Sequence, residues 1–200
     1  MRIIELILDE DQEDSGVEAI SVVENPAIES DFVALQAQEI KLATISKDKK
    51  ILLGALLIPN KPIYRNSEEG EYYIFFSKDT IVKASQMYLR NGYQNKSTLE
   101  HAQALKGLTL VESWIVEDEV QDKSRKYGLN VPVGTWMGAV KVNNDKIWDE
   151  YVKTNKVKGF SIEGYFADKM ERPKEKIKED MSKNDKEEVL INKIKNILNS

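Results

Sequence analysis

The run Ile51-Leu52-Leu53-Gly54-Ala55-Leu56-Leu57-Ile58 is apolar throughout and stops at Pro59. It falls far short of the roughly 18 residues that a membrane span needs. A short apolar run bounded by a breaker is the pattern of a strand covered on its faces. The chain must therefore build other elements around it.

Several further segments read as strands. Residues 2–8 form a short one, and Glu18 to Val23 a second, ended by Glu24-Asn25-Pro26. Asp31 to Gln38 alternates well enough for a third. Glu71 to Ser77 carries Tyr72, Tyr73, Ile74, Phe75 and Phe76, side chains that suit a pleated, half-buried surface. Thr109 to Glu117, Thr135 to Val142 and Val157 to Ala167 complete the set, with a charged loop running through Lys126.

Two helices interrupt the strands. Ser77 is a suitable N-cap and Asp79 suits the positive end of the helix dipole. Ile81, Ala84, Ser85 and Tyr88 share a face, and Asn91-Gly92 is the stop. Asn143-Asn144-Asp145 opens the second helix, with Ile147, Trp148, Tyr151 and Val152 on one side. The expected architecture is mainly β with surrounding helices (α+β), and a closed or nearly closed β-barrel would hide its strand edges.

Composition changes after residue 168. Residues 169–188 contain 14 charged residues out of 20, the pattern of a solvated linker. Leu190, Ile191, Ile194, Ile197 and Leu198 then recur at helical spacing. Such a stripe must be buried against the domain, a partner or a further segment. The expected organisation is a domain over 1–168, a charged linker over 169–186 and an amphipathic helical tail over 187–200.

A net charge of −5 gives no electrostatic reason to expect nucleic-acid binding. No cysteine is present, so disulfides, thiolate nucleophiles and cysteine-based zinc sites are excluded. The start of the chain turns acidic too soon for a secretory signal, and no apolar run suggests a membrane. The protein is expected to stay inside the cell that makes it.

One histidine, His101, stands 60 positions before Ser161 in Lys158-Gly159-Phe160-Ser161-Ile162-Glu163-Gly164. A serine hydroxyl needs a neighbouring base to act as a nucleophile, and neutral imidazole is the usual one. Alternation places Ser161, Glu163 and Tyr165 on one face of a strand whose other face carries Phe160, Ile162, Gly164 and Phe166. Gly159 and Gly164 leave room for another backbone, or mark a bulge. The glycine spacing is not that of the α/β-hydrolase nucleophile elbow.

A third group would orient the imidazole. No second histidine exists, so it is a carboxylate, or a dyad suffices. Glu112 is the first candidate, because it interrupts Leu110-Val111-Glu112-Ser113-Trp114-Ile115 and a charge there needs a partner. An edge-strand glutamate facing water is the simpler alternative. Glu163 and Asp168 are rivals because they lie near Ser161 in the chain.

Several stretches together resemble the XkdF-like phage serine protease domain. They are Ile20-Ser21-Val22-Val23-Glu24-Asn25-Pro26-Ala27, Leu57-Ile58-Pro59-Asn60-Lys61-Pro62-Ile63-Tyr64-Arg65 and Ser97-Thr98-Leu99-Glu100-His101. Val111-Glu112-Ser113-Trp114-Ile115-Val116-Glu117-Asp118, Gly134-Thr135-Trp136-Met137 and Val157 to Phe166 follow in the same order. That group is similar to the prohead maturation proteases of tailed phages, which share the fold of herpesvirus assemblin. The resemblance implies a closed β-barrel with helices around it. It also implies a serine endopeptidase, working without metal or organic cofactor, in which His101 is the general base and Ser161 the nucleophile.

The implied setting is the immature capsid in the host bacterial cytoplasm. Scaffold protein and the major capsid protein would be substrates. Self-cleavage and a homo-oligomer are compatible with it, whereas nucleic acid and membrane are not expected partners. Two other classes compete: a non-catalytic capsid-assembly protein that keeps the fold, and an unrelated β-barrel binding module using Trp114, Trp136 and Tyr165 as a ligand surface.

Overall fold

The computed structural model describes residues 2–9, 12, 15–28, 33–35, 49–67 and 70–169. In chain order the strands are β1 (Arg2–Ile7), β2 (Gly16–Val23), β3 (Val33–Leu35), β4 (Ile51–Leu57), β5 (Ile63–Ser67) and β6 (Gly70–Phe76). They continue with β7 (Ser97–Leu99), β8 (Gln103–Leu105), β9 (Leu108–Ile115), β10 (Trp136–Val142), β11 (Gly159–Tyr165) and β12 (Ala167–Asp168). Helix α1 spans Lys78–Arg90. A short turn of α-helix, α2 (Asp145–Ile147), runs on into a π-helical turn over Trp148–Val152. The fold is mainly β, as expected.

Among the described residues the strands form three four-stranded sheets, ordered β12-β1-β6-β5, β3-β4-β10-β9 and β11-β2-β7-β8. Among the described residues hydrogen bonding does not link these sheets into one closed barrel; a closed or nearly closed one was expected. The pairing is mixed, with β1–β6 and β2–β7 parallel and the other pairs antiparallel.

The apolar run that stops at Pro59 forms β4, inside its sheet between β3 and β10. Leu52, Leu53, Leu56 and Leu57 are all fully buried. Strand β10 beside it is almost as deep, with Trp136, Met137, Ala139, Val140 and Val142 buried. Both strands have apolar side chains on both faces because protein covers both.

Helix α1 follows its sequence signals closely. Ser77 Oγ accepts the Thr80 N–H, Asp79 lies in the first turn, and Ile81, Ala84, Ser85 and Tyr88 are buried. Tyr88 stands edge-on to both Trp136 and Tyr93. Burial pushes the Tyr88 hydroxyl well above its ordinary value. The second helical segment starts at the expected cap, with Asn144 Oδ1 accepting the Ile147 N–H at 3.1 Å.

Three strands were not anticipated: β5, β7 and β8. Each is short enough to read as loop and forms only through pairing, β5 with β6, β7 with β2, and β8 with β7. Of the expected strand over Asp31–Gln38, Val33–Leu35 pairs with β4 and the remainder lies outside the described residues. The amphipathic tail over 187–200 and all but the first residue of the linker also lie outside them.

Candidate active site

The site lies on the third sheet. Its inner face carries Phe160 from β11, Ile20 and Val22 from β2 and Leu99 from β7, all buried in the core. Alternation sends the intervening residues to the other face. The register places Ser161 opposite Ser21, and Ser21 beside Thr98. Paired residues share a face, so three hydroxyl side chains from three strands form a row. Glu163, two residues beyond Ser161, shares that face.

His101 enters from the β7–β8 connection. Ala102 N–H donates to Leu99 O at 3.0 Å, closing a tight turn with Glu100 and His101 at its centre. Their φ angles are +50° and +56°. A turn with two positive φ values ordinarily asks for Asn or Gly, and neither is present. The turn is held at three points by β2 and the residue that follows it. Glu100 N–H donates to Val22 O at 3.2 Å. Glu100 Oε1 accepts the Glu24 N–H at 2.7 Å, and Ser21 Oγ accepts the His101 N–H at 3.0 Å. Strain of this kind persists only where neighbours over-determine it, and it clusters at functional sites.

The imidazole meets a carboxylate, with His101 Nδ1 3.2 Å from Glu163 Oε1. The same carboxylate oxygen accepts a hydrogen bond from Thr98 Oγ1. Glu163 reaches across β2 because the residue opposite it is Ala19, too short to obstruct. With Nδ1–H donating to Glu163, Nε2 is left as the free acceptor, the tautomer a general base requires. Both side chains are partly exposed, at 43% and 30%.

Ser161 is almost buried, at 9%. Among the described residues no hydrogen bond joins it to His101. Ile20 and Val22 direct their main-chain groups at β7, through Ile20 N–H to Lys96 O and Glu100 N–H to Val22 O. Alternation then turns the Ser21 main chain toward Ser161, committing the Ser161 N–H to the sheet ladder. Any oxyanion donor must come from another residue.

Glu112 is not the carboxylate that meets the imidazole. It lies on β9, the edge strand of a different sheet, in an ion pair with Lys123. The β9–β10 register slips there, Glu112 facing Ala139 and Leu110 facing Val140, so Val111 is an extra residue. A bulge of this kind breaks alternation, and Val111 and Glu112 both turn outward. The simpler reading, an edge glutamate facing water, describes its environment. Asp168 sits on β12 in the first sheet, paired with Arg2 at 3.0 Å.

Gly164 combines the two roles considered for it. The β11–β2 register shifts between Glu163 and Gly164, and a Cβ on Gly164 would lie 1.9 Å from Gly16 O. The close backbone is the chain's own β2. Trp114, Trp136 and Tyr165 do not form a surface together, since Trp136 is fully buried in the core. Sequence reasoning missed Ser21 and Thr98. The available signal was a serine inside the otherwise apolar run Ala19 to Val23.

Among the described residues no three His, Asp or Glu side chains are grouped to hold a metal ion. No described helix is long and apolar enough to cross a membrane. No protein-family model, curated protein or solved structure matches this chain.

Proposed function

We propose that the chain is a serine endopeptidase of the phage capsid-maturation type, with Ser161 as nucleophile, His101 as general base and Glu163 as the group that orients the base. The observation that carries this reading is the 3.2 Å approach of Glu163 to His101 Nδ1 on the strand that also bears Ser161. It leaves Nε2 available to take the Ser161 proton as Oγ attacks a peptide carbonyl. His101 then protonates the leaving amine, and water releases the acyl group. Glu163 stabilises the imidazolium formed between these steps.

In this reading the three sheets are sections of the barrel-like fold that the family resemblance implies. The substrates are scaffold protein and the scaffold extension of the major capsid protein, with self-cleavage as a further product. The site of action is the interior of the procapsid in the bacterial cytoplasm. Treatment with a fluorophosphonate and peptide mapping by mass tests the chemistry. A single adduct on Ser161, lost in His101→Ala, is the expected result. No adduct on Ser161 in the wild type would sink the enzyme reading.

The second reading is a capsid-assembly protein that keeps the fold without catalysis. It is favoured by one observation, the lack of a hydrogen bond between Ser161 and His101. Catalytic hydrogen bonds in unliganded enzymes are often loose, so the first reading stands ahead of it.

A further inference from the structure

Ser21 is fully buried, at 0% exposure, in the strand between Ser161 and Thr98. Its Oγ accepts the His101 N–H at 3.0 Å and donates to Thr98 O at 3.4 Å. A buried hydroxyl with both capacities engaged is fixed in orientation. One partner is the main chain of the histidine itself, at a residue with φ +56°. The hydroxyl thus grips the strained turn at the position from which the imidazole projects.

We propose that Ser21 is a positioning residue that sets the His101 imidazole over the Ser161 face of the sheet. The inference rests on the serine-enzyme reading. Ser21 touches neither the imidazole nor the Ser161 hydroxyl in any hydrogen bond; its action is through the backbone of the turn. Without the acceptor, the His101 N–H is unsatisfied and the Glu100–His101 turn loses one of its two ties to β2, the other being Glu100 N–H to Val22 O. Other backbone conformations then compete, and the imidazole leaves its place beside Glu163. Misplacement of a reacting group by about 1 Å can cost as much as 100-fold in rate. Thr98 and Glu163 hold the carboxylate side of the same pair, so the row of hydroxyls fixes both base and orienter.

The test is the rate at which a fluorophosphonate labels Ser161 in the full chain, followed by intact mass. Ser21→Ala is expected to slow labelling by about 10- to 100-fold. Ser21→Thr, which keeps the hydroxyl, should restore the rate to within about threefold. Ser21→Cys keeps the volume with only a weak acceptor and replaces the alanine variant if that one does not fold. Ile20→Val, a core change on the opposite face of β2, controls for stability alone and should keep the wild-type rate. Slow labelling in Ser21→Ala or Ser21→Cys with recovery in Ser21→Thr supports the proposal. A wild-type rate in folded Ser21→Ala or Ser21→Cys overturns it, as does equal slowing in Ile20→Val or no recovery in Ser21→Thr. If wild-type Ser161 takes no label, the serine-enzyme reading fails and this inference with it. Labelled wild type with unaffected Ser21 variants removes the inference alone.

Discussion

Glu163 Oε1 lies 3.2 Å from His101 Nδ1, although the residues are 62 positions apart, Glu163 on β11 and His101 in the β7–β8 turn, and β11 and β7 do not pair with each other. Strand β2 lies between β11 and β7, and its small residues Ala19 and Ser21 let the carboxylate pass above it. The contact joins the only histidine to the strand that carries Ser161.

Glu163→Gln keeps the shape and removes the charge. The imidazole loses the partner that selects its tautomer and stabilises its cation. Fluorophosphonate labelling of Ser161 should slow by about 10² to 10⁴-fold, as for loss of a triad carboxylate. Glu112→Gln, on a different sheet, should leave the rate unchanged. Equal effects from the two variants would remove Glu163 from the account.

Thr98→Val is nearly isosteric and deletes the hydroxyl that donates to Glu163 Oε1. One lost hydrogen bond to a charged group corresponds to about 1.5–3 kcal/mol of interaction. Glu163 is partly solvated, so the lower end applies, and labelling should slow by roughly tenfold. Retained labelling would mean that the carboxylate holds its position without Thr98.

The helices and the buried strands β4 and β10 were legible in the sequence because each rests on local signals. Ser77 caps, Pro59 stops, and Tyr88 falls on the apolar face of its helix. The carboxylate partner was not legible in the same way. Glu112 was chosen because a charge interrupting an apolar run needs a partner; the bulge at Val111 turns it outward, where Lys123 is that partner. Strands β7 and β8 are three residues each and become strands only through pairing with β2 and with each other. The placement of Thr98 beside Glu163 depends on that pairing, which is a tertiary event. The barrel expected from the resemblance had no local signal at all, since closure depends on which edges meet.

Gly164→Ala should destabilise the domain strongly. Its Cβ would fall 1.9 Å from Gly16 O, a backbone atom that a rotamer change cannot move. Strand β11 or β2 would have to shift, at a cost of at least about 2 kcal/mol. Urea unfolding of the full chain measures this, and a midpoint equal to the wild type would contradict the close approach.

Lys50 Nζ lies 2.7 Å from Asp145 Oδ1, at the start of the second helical segment. The hydrogen bond and charge of Lys50 hold the Asp145 carboxyl below its ordinary value. A carboxyl depressed in the folded state adds stability above its unfolded titration range. That contribution is lost as pH falls through the folded value. Carboxyl titration by NMR should therefore show Asp145 titrating low in the wild type and moving upward in Lys50→Met. An unchanged midpoint in Lys50→Met would show that the ion pair does not form in solution.

The proposed serine-enzyme reading is tested most directly by co-expressing the chain with the scaffold and capsid proteins proposed as its substrates and reading every product by intact mass. On the serine-enzyme reading the wild type cleaves them, and Ser161→Ala and His101→Ala leave them uncut. Identical intact products and normal shells from all three would contradict it, leaving an assembly factor in which Ser161 and His101 do no chemistry.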